Sequence, residues 1–307
     1  MATQTQTKKG FFDNPVFKTT VKSAQVKIFP EGAIGYFIGP TFAMLANSII
    51  SGQFSKYMTD IVNINDWNPM FWTMLPIISA LFVVLGNIIV GRLMDRMKTS
   101  AGKARPLLLL SIPLAAISLL LLFILSPFAN ESTPETQIAA LVMIAIGYNM
   151  WFGIAYPFYF TSHSALVGLS TRNSKDRSLL ATISNATHLA AMGLCSMVLP
   201  FFSKLLFVPQ ADGNGIDAIA SYNSWKIFVI ALLVVNVVGV LMEYYFTRER
   251  VTEESMGAHV SLEKKKTVSM GEQAKICFKD KYWVIMIVFF LMFQLGGMLK
   301  NVSQVYF

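Results

Sequence analysis

Residues 69–91 read PMFWTMLPIISALFVVLGNIIVG, and the stretch 91–106 that follows reads GRLMDRMKTSAGKARP. The first stretch has no Asp, Glu, Lys or Arg, whereas the second carries six charges, with Asp95 among five cations. A bilayer core about 30 Å thick is crossed by roughly 20 consecutive apolar residues in a helix. The change from an uncharged stretch to a basic one therefore predicts a membrane span that ends at a charged surface.

The same pattern continues along the chain. Its 307 residues are 54% hydrophobic with a mean hydropathy of +0.53, and only 14% are charged, against about 25% in soluble domains. The stretches long and apolar enough to span a membrane are 33–55, 69–91, 106–128, 138–160, 180–203, 225–246 and 283–305. The sequence predicts an all-α membrane protein, and it excludes a soluble domain with a single membrane anchor.

The net charge of +8 raises the question of nucleic-acid binding, but the positions of the cations argue against it. Of the 25 Lys and Arg residues, 21 lie in the N-terminal tail, in 92–105, in 172–177 or in 248–281. These segments are alternate connections between predicted spans, and loops that face the cytoplasm carry an excess of Lys and Arg. We therefore expect a cytoplasmic N-terminus and a lipid bilayer, not nucleic acid, as the partner of this surface.

The distribution of polar residues divides the chain into four parts. Residues 1–30 form a cytoplasmic arm, either partly an amphipathic helix at the membrane surface or a solvated tail. Residues 31–246 hold six spans. Residues 247–281 are polar, with mixed charge and no apolar periodicity, which is typical of a flexible cytoplasmic linker. Residues 282–307 hold the seventh span, which we interpret as the start of a second half that this chain does not contain.

Ionisable residues inside a bilayer are costly and mark functional sites. The first five predicted spans contain no Asp, Glu, Lys or Arg, and Glu243 lies near the end of the sixth, where we expect it to reach water. The sequence thus predicts neither a sodium site made of carboxylates nor a carboxylate proton relay, and no metal ion or cofactor. It also shows no Walker A loop and no Ser-His-Asp set that the topology could bring together, so we do not expect an enzyme.

Neutral polar and aromatic residues concentrate on the fourth and fifth spans. Asn185 and His188 are one helical turn apart and share a face. Amide, imidazole and phenol groups both donate and accept hydrogen bonds, and flat rings pack on the C–H faces of sugars. The residues that we predict to contact a neutral, polyhydroxylated solute are Asn149, Trp151, Tyr156, Tyr159, His163, Asn185 and His188. Hydrogen bonding between neighbouring helices, with no ligand, is the alternative for each of them.

Residues 91–106 resemble the loop between the second and third helices of the major facilitator superfamily, and more narrowly that of the glycoside–pentoside–hexuronide cation symporters, the melibiose permease group. The matching positions are Gly91, Asp95, Arg96, Thr99, Gly102, Lys103, Arg105 and Pro106. The resemblance implies the six-helix N-terminal bundle of a twelve-helix fold, with the substrate held between two halves built from inverted repeats. It also implies uptake of sugars or glycosides at the plasma membrane.

The resemblance further implies a gating role at the cytoplasmic face for Gly91, Asp95, Arg96, Gly102, Lys103 and Arg105. In that role Gly91 permits close helix packing. Asp95 accepts hydrogen bonds from nearby cations and helix-end amides, which helps hold the cytoplasmic side shut.

One departure from the family pattern bears on the coupling ion. The two acidic residues that form the family's cation site on the second helix fall at Val83 and Asn87. We therefore expect a secondary active or facilitated transporter of a neutral sugar or glycoside, with alternating access and with protons rather than sodium as the coupling ion. His163 and His188 are the candidate proton carriers, because imidazole titrates near neutrality. The alternatives are a transport-incompetent fragment or transporter-derived sensor, and an exporter of small amphiphilic compounds.

Overall fold

A computed structural model describes residues 14–62, 68–97, 99–126, 133–211, 215–257 and 270–289, together with Phe12, Phe128 and Met292. Within these residues the helices long and apolar enough to cross a membrane are α1 (Ile28–Val62), α2 (Asn68–Arg96), α3 (Arg105–Ile124), α4 (Pro134–Ser170), α5 (Ser174–Leu206) and α6 (Ala218–Phe246). The described residues form no strand beyond two isolated bridges. The predicted all-α membrane fold and its first six spans are thus confirmed.

The chain continues into two shorter helices, α7 (Arg250–Gly257) and α8 (Met270–Lys279). Both lie in the segment predicted as a flexible linker. Residues 283–289 of the predicted seventh span are helical, and 293–305 lie outside the described residues. The chain divides into two compact units, Met1–Ala258 and His259–Phe307, so the first unit continues beyond the predicted boundary at residue 246.

Most of the spans are longer than the apolar stretches that predicted them. α4 has 37 residues, which at about 1.5 Å per residue makes it about 55 Å long, nearly twice the thickness of a hydrocarbon core. A helix satisfies its own backbone hydrogen bonds, so it need not stop where polar residues begin. α4 accordingly runs past the predicted end at 160 to Ser170. α3 is an exception, because it ends at Ile124 instead of 128.

The first unit packs α1 against α5 and α6, and α4 against α2 and α3. One large apolar core cluster contains Tyr57, Phe123 and Trp225, whose rings stack or meet edge to face at centroid distances of 5.0–5.7 Å. A second contains Tyr36, Leu107 and Phe158. Close approach of α2 and α4 requires glycine at position 86, because a Cβ there would overlap the carbonyl of Gly153.

The N-terminal arm and every second connection between spans lie at one end of this unit. We call this end the basic end and define it as residues 14–27, 99–104, 171–173 and 247–257. The Thr20 N–H donates to the Tyr245 carbonyl at 3.0 Å, and Arg172 pairs with Glu254 at 3.1 Å. Residues 18–27 are non-helical, after a single 3-10 turn at Pro15–Phe17. This described part of the arm is therefore neither an amphipathic helix nor a free tail.

Candidate functional site

A hydrogen-bonded group of four side chains lies inside the bundle, and we call it the buried cluster: Tyr159, His163, Ser184 and Glu243. The Tyr159 hydroxyl donates to Glu243 Oε2 at 2.7 Å, and His163 Nδ1 lies 2.8 Å from Glu243 Oε1. The other ring nitrogen of His163, Nε2, lies 2.7 Å from Ser184 Oγ. Both oxygens of a buried carboxylate are thus partnered, as the cost of burying a charge requires.

Three helices build this cluster. Tyr159 and His163 are four residues apart on α4 and therefore share a face, while Ser184 comes from α5 and Glu243 from α6. Glu243 is fully buried and His163 is only 2% exposed. The expectation that Glu243 reaches water is wrong, because α6 packs this side chain against α4. The expectation that no carboxylate is available inside this half fails with it.

Ser184, His163 and Glu243 also stand in the order of a serine–histidine–acid set, which the sequence analysis did not expect the topology to form. Acyl transfer at such a set needs backbone or side-chain donors aimed at the developing oxyanion. Ser184 lies in the interior of α5, where backbone N–H groups are taken up by the helix itself. The helix backbone around Ser184 therefore offers no oxyanion donor, and the arrangement suits proton binding better than nucleophilic catalysis.

The predicted solute set does not form one site. Tyr159 and His163 belong to the buried cluster. Trp151 is buried and donates from Nε1 to Asn47 Oδ1 of α1 at 3.2 Å. Asn149 donates to the Ala145 carbonyl of its own helix, and its Oδ1 is buried with no hydrogen-bond partner among the described residues. Trp151 thus makes the interhelical contact that stood as the alternative to solute binding.

A cavity inside the bundle is lined by Trp151, Tyr156, Tyr159 and Asn236, with small residues between them. It has room for roughly one water molecule, which is far too little for a sugar. This cavity therefore cannot hold a solute of that size.

Exposed polar side chains flank α4 on both sides. Toward α2, Thr161 donates to Asn87 Oδ1 at 2.8 Å. Toward α5, His188 stacks on Phe160 at a centroid distance of 5.4 Å, and Asn185 is exposed one turn away. Tyr156 stacks in turn on Phe160 at 5.5 Å. These groups combine exposed amide and imidazole functions with half-buried hydroxyl groups and aromatic rings, which is the chemistry predicted for a neutral solute.

At the basic end, the carboxylate of Glu249 caps the start of α3. It accepts the backbone N–H groups of Lys103, Ala104 and Arg105 at 2.8–2.9 Å, and the Thr252 hydroxyl at 2.8 Å. The loop reaches this geometry through Gly102, whose φ of +112° is rarely adopted by other residues. A negative charge at a helix N-terminus is favoured by the partial positive charge of the free N–H groups.

The predicted gating residues differ in burial and in contacts. Arg105 is buried, donates to the carbonyls of Ala101 and Tyr244, and lies over the Tyr244 ring at 4.4 Å. Asp95 and Arg96 are exposed, and no hydrogen bond among the described residues involves Asp95. A Cβ on Gly91 would meet no atom of the described residues within 4 Å. The acceptor of helix-end amides is thus Glu249, because Asp95 lies at the C-terminal end of α2, where a carboxylate is disfavoured.

Two arginines of the segment after α6 donate to backbone carbonyls of the arm, and each of them also forms an ion pair. Arg250 forms a bidentate pair with Glu31 at 2.8–2.9 Å, and it also donates to the carbonyls of Ser23 and Gln25. Arg248 donates to Glu253 at 2.7 Å, and this hydrogen bond raises the pKa of Arg248 above its ordinary value. The signal that the sequence analysis missed is the run TRERVTEE at 247–254, whose charges pair within the first compact unit.

Comparison with known proteins gives two matches. A family model described as MFS/sugar transport protein matches residues 35–307. A segment of 131 residues is 34% identical to the uncharacterized symporter YjmB of Bacillus subtilis (strain 168), and it covers 42% of this chain. The matched segment covers 27% of the length of that relative.

Proposed function

The chain belongs to the MFS/sugar transport protein family, and from this premise we propose that it carries a neutral sugar or glycoside across a membrane by alternating access. The observation that carries the proposal is the family match over 35–307, which includes nearly all of the six-span bundle. The loop resemblance to the melibiose permease group and the printed name of the YjmB relative, a symporter, support symport. The plasma membrane and a cytoplasmic basic end are parts of the same proposal.

The solute binds, in this proposal, against the exposed side chains that flank α4. Asn185 and His188 belong to the predicted solute set and are exposed, and His188 stacks on the half-buried Phe160 ring. Asn87 and Thr161 add an amide and a hydroxyl on the other side of α4. Tyr159 and His163 also belong to the predicted set, but their contacts with Glu243 and Ser184 give them another role.

Protons, and not sodium, are the coupling ion in this proposal. The side chains of Val83 and Asn87 offer no carboxylate, and Asn87 donates to the Val83 carbonyl at 2.8 Å. The described residues contain no group of three or more His, Cys, Asp or Glu side chains that could hold a metal ion. An imidazole in contact with a carboxylate suits proton exchange, and the buried cluster provides that contact.

The test is uptake by proteoliposomes that contain the purified protein. The probes are radiolabelled melibiose, lactose and xylose, each measured with an imposed pH gradient, with an imposed Na⁺ gradient and with neither. We expect at least one probe to accumulate when the outside is acidic, and no stimulation by Na⁺ alone. Accumulation driven by Na⁺ alone would overturn proton coupling, and the absence of both uptake and exchange for a broad panel of neutral sugars would overturn the substrate class.

A further inference from the structure

We propose that the buried cluster binds the coupling proton, with Nε2 of His163 as the proton acceptor and Ser184 as the group that passes the proton to it. This inference rests on the proton-coupled transport proposed above, but it assigns the site, which the family match does not. It also decides between the two candidate imidazoles, because His188 has no carboxylate partner among the described residues.

The geometry allows a proton to bind without movement of any heavy atom. When the ring carries one proton on Nδ1, that proton is donated to Glu243 Oε1, and the Ser184 hydroxyl donates to Nε2 across 2.7 Å. An arriving proton binds the Ser184 oxygen while the proton that this hydroxyl held passes to the Nε2 lone pair, and the Ser184 hydroxyl then accepts from the new Nε2–H. A serine hydroxyl can do either. The Tyr159 hydroxyl continues to donate to Glu243 Oε2 throughout.

Proton binding changes the charge of the cluster from −1 to zero, because an imidazolium–carboxylate pair replaces a carboxylate beside a neutral ring. The other ionisable side chains that face the cluster are Tyr36 of α1, Tyr156 of α4 and His188 of α5. Arg105 of α3 interacts with Tyr244, whose hydroxyl donates to the Phe17 carbonyl of the arm. Glu31 and Glu249 lie beyond, and both are partnered by residues of the basic end.

An uncompensated buried charge is strongly unfavourable. The cluster without its extra proton therefore favours a conformation in which water reaches Glu243, whereas the protonated cluster is compatible with the closed packing seen here. This difference links the proton to the conformational change that alternating access requires, since a ligand shifts an equilibrium only through its different affinity for the two states.

Ser184 also supplies the route. It is 9% exposed, against 2% for His163 and 0% for Glu243, so it is the most accessible of these three members of the relay. It directly precedes Asn185, which is exposed and belongs to the proposed solute surface. A proton that enters from this surface meets Ser184 before it meets His163.

Transport of a probe sugar tests the site in proteoliposomes. His163→Gln and Glu243→Gln should lower accumulation driven by an acidic exterior at least tenfold, while exchange of labelled for unlabelled sugar across the same membrane is retained. Ser184→Ala should also lower this accumulation, because the group that passes the proton to His163 is then missing. The matched controls are Ser196→Ala, an exposed serine of α5, and Glu254→Gln, an exposed carboxylate. Accumulation by the His163 and Glu243 variants at the level of the wild type would overturn the proposal.

A second measurement needs no sugar, and it uses a variant only to assign the signals. The protein is labelled with ¹⁵N-histidine, which marks its three histidines, and the ring signals are followed between about pH 8 and about pH 5, the range in which imidazole changes charge. We expect the His163 ring, assigned by loss of its signals in His163→Gln, to change from one bound proton to two. A ring that keeps one proton across the range would overturn the proton site even if sugar transport is found. Failure of every sugar probe, with normal titration, would reject only the proposed substrate.

Discussion

Arg250 and Glu31 show how much a single ion pair can matter at the basic end. Their side chains are 9% and 0% exposed, and Arg250 also donates to several carbonyls of the N-terminal arm. By contrast, the Arg172–Glu254 pair is 69% and 60% exposed. Removal of one partner from a buried pair leaves an unpaired charge in the interior, whereas exposed pairs contribute little because water and salt screen them.

We therefore expect Arg250→Ala to destabilise the protein by about 3–5 kcal/mol, and Arg172→Ala by at most about 1 kcal/mol. The midpoint of thermal unfolding in detergent, followed by tryptophan fluorescence, measures both variants side by side. The double variant Glu31→Gln with Arg250→Ala should recover part of the loss, because the unpaired charge is then absent. Equal midpoints for the two single variants would contradict the burial of the Arg250–Glu31 pair.

The buried cluster shows which residues of a site can be predicted from sequence. Tyr159 and His163 were both predicted to contact a solute, and they share a face of α4, but the sequence could not show what that face contacts. Glu243 was assigned to water because it lies three residues before the end of α6, and nearness to a span end is a good guide only where no other segment covers that end. Its true partners lie 80 and 84 residues away along the chain, a distance over which a single sequence gives no pairing information.

The N-terminus of α3 is capped by a residue from a distant segment of the chain, after α6. Its first N–H groups have no partner within the helix, and they are satisfied by Glu249, more than 140 residues later in the chain. The loop motif implied a gating role for Gly102 and Arg105, and both residues are buried. It could not identify Glu249, because a carboxylate cap from another segment leaves no local pattern in the loop itself.

We expect Glu249→Gln to loosen the loop at the start of α3, since an amide oxygen accepts these N–H groups more weakly than a carboxylate. The loss should be about 1–3 kcal/mol, with faster trypsin cleavage after Lys103 in detergent. The matched variant is Asp95→Asn, which makes the same change of carboxylate to amide on an exposed side chain near the same loop. If Asp95→Asn accelerates cleavage as much as Glu249→Gln does, the cap does not hold the loop.

At the scale of the whole molecule, apolar length and charge position predicted the number of described spans and the alternation of their connections. Segments that are rich in Lys and Arg meet at the basic end, while Ser126 and Tyr222 meet at the other, where the Tyr222 hydroxyl donates to the Ser126 carbonyl. Hydrophobicity determines where the spans lie, because a segment in the bilayer core must satisfy its backbone hydrogen bonds within its own helix. Contacts inside the protein do not distinguish the two sides of a membrane. Which end faces the cytoplasm is therefore a prediction from charge alone.

Cysteine labelling decides that orientation. In a Cys277→Ser background, where the other cysteine, Cys195, is buried, we introduce Ser100→Cys at the basic end or Ala211→Cys at the opposite end, both at exposed positions. Because loops rich in Lys and Arg stay in the cytoplasm, a membrane-impermeant maleimide should label intact cells only through the Ala211 variant, and permeabilised cells through both. Labelling of the Ser100 variant in intact cells would reverse the orientation, and with it the side from which protons and solute enter.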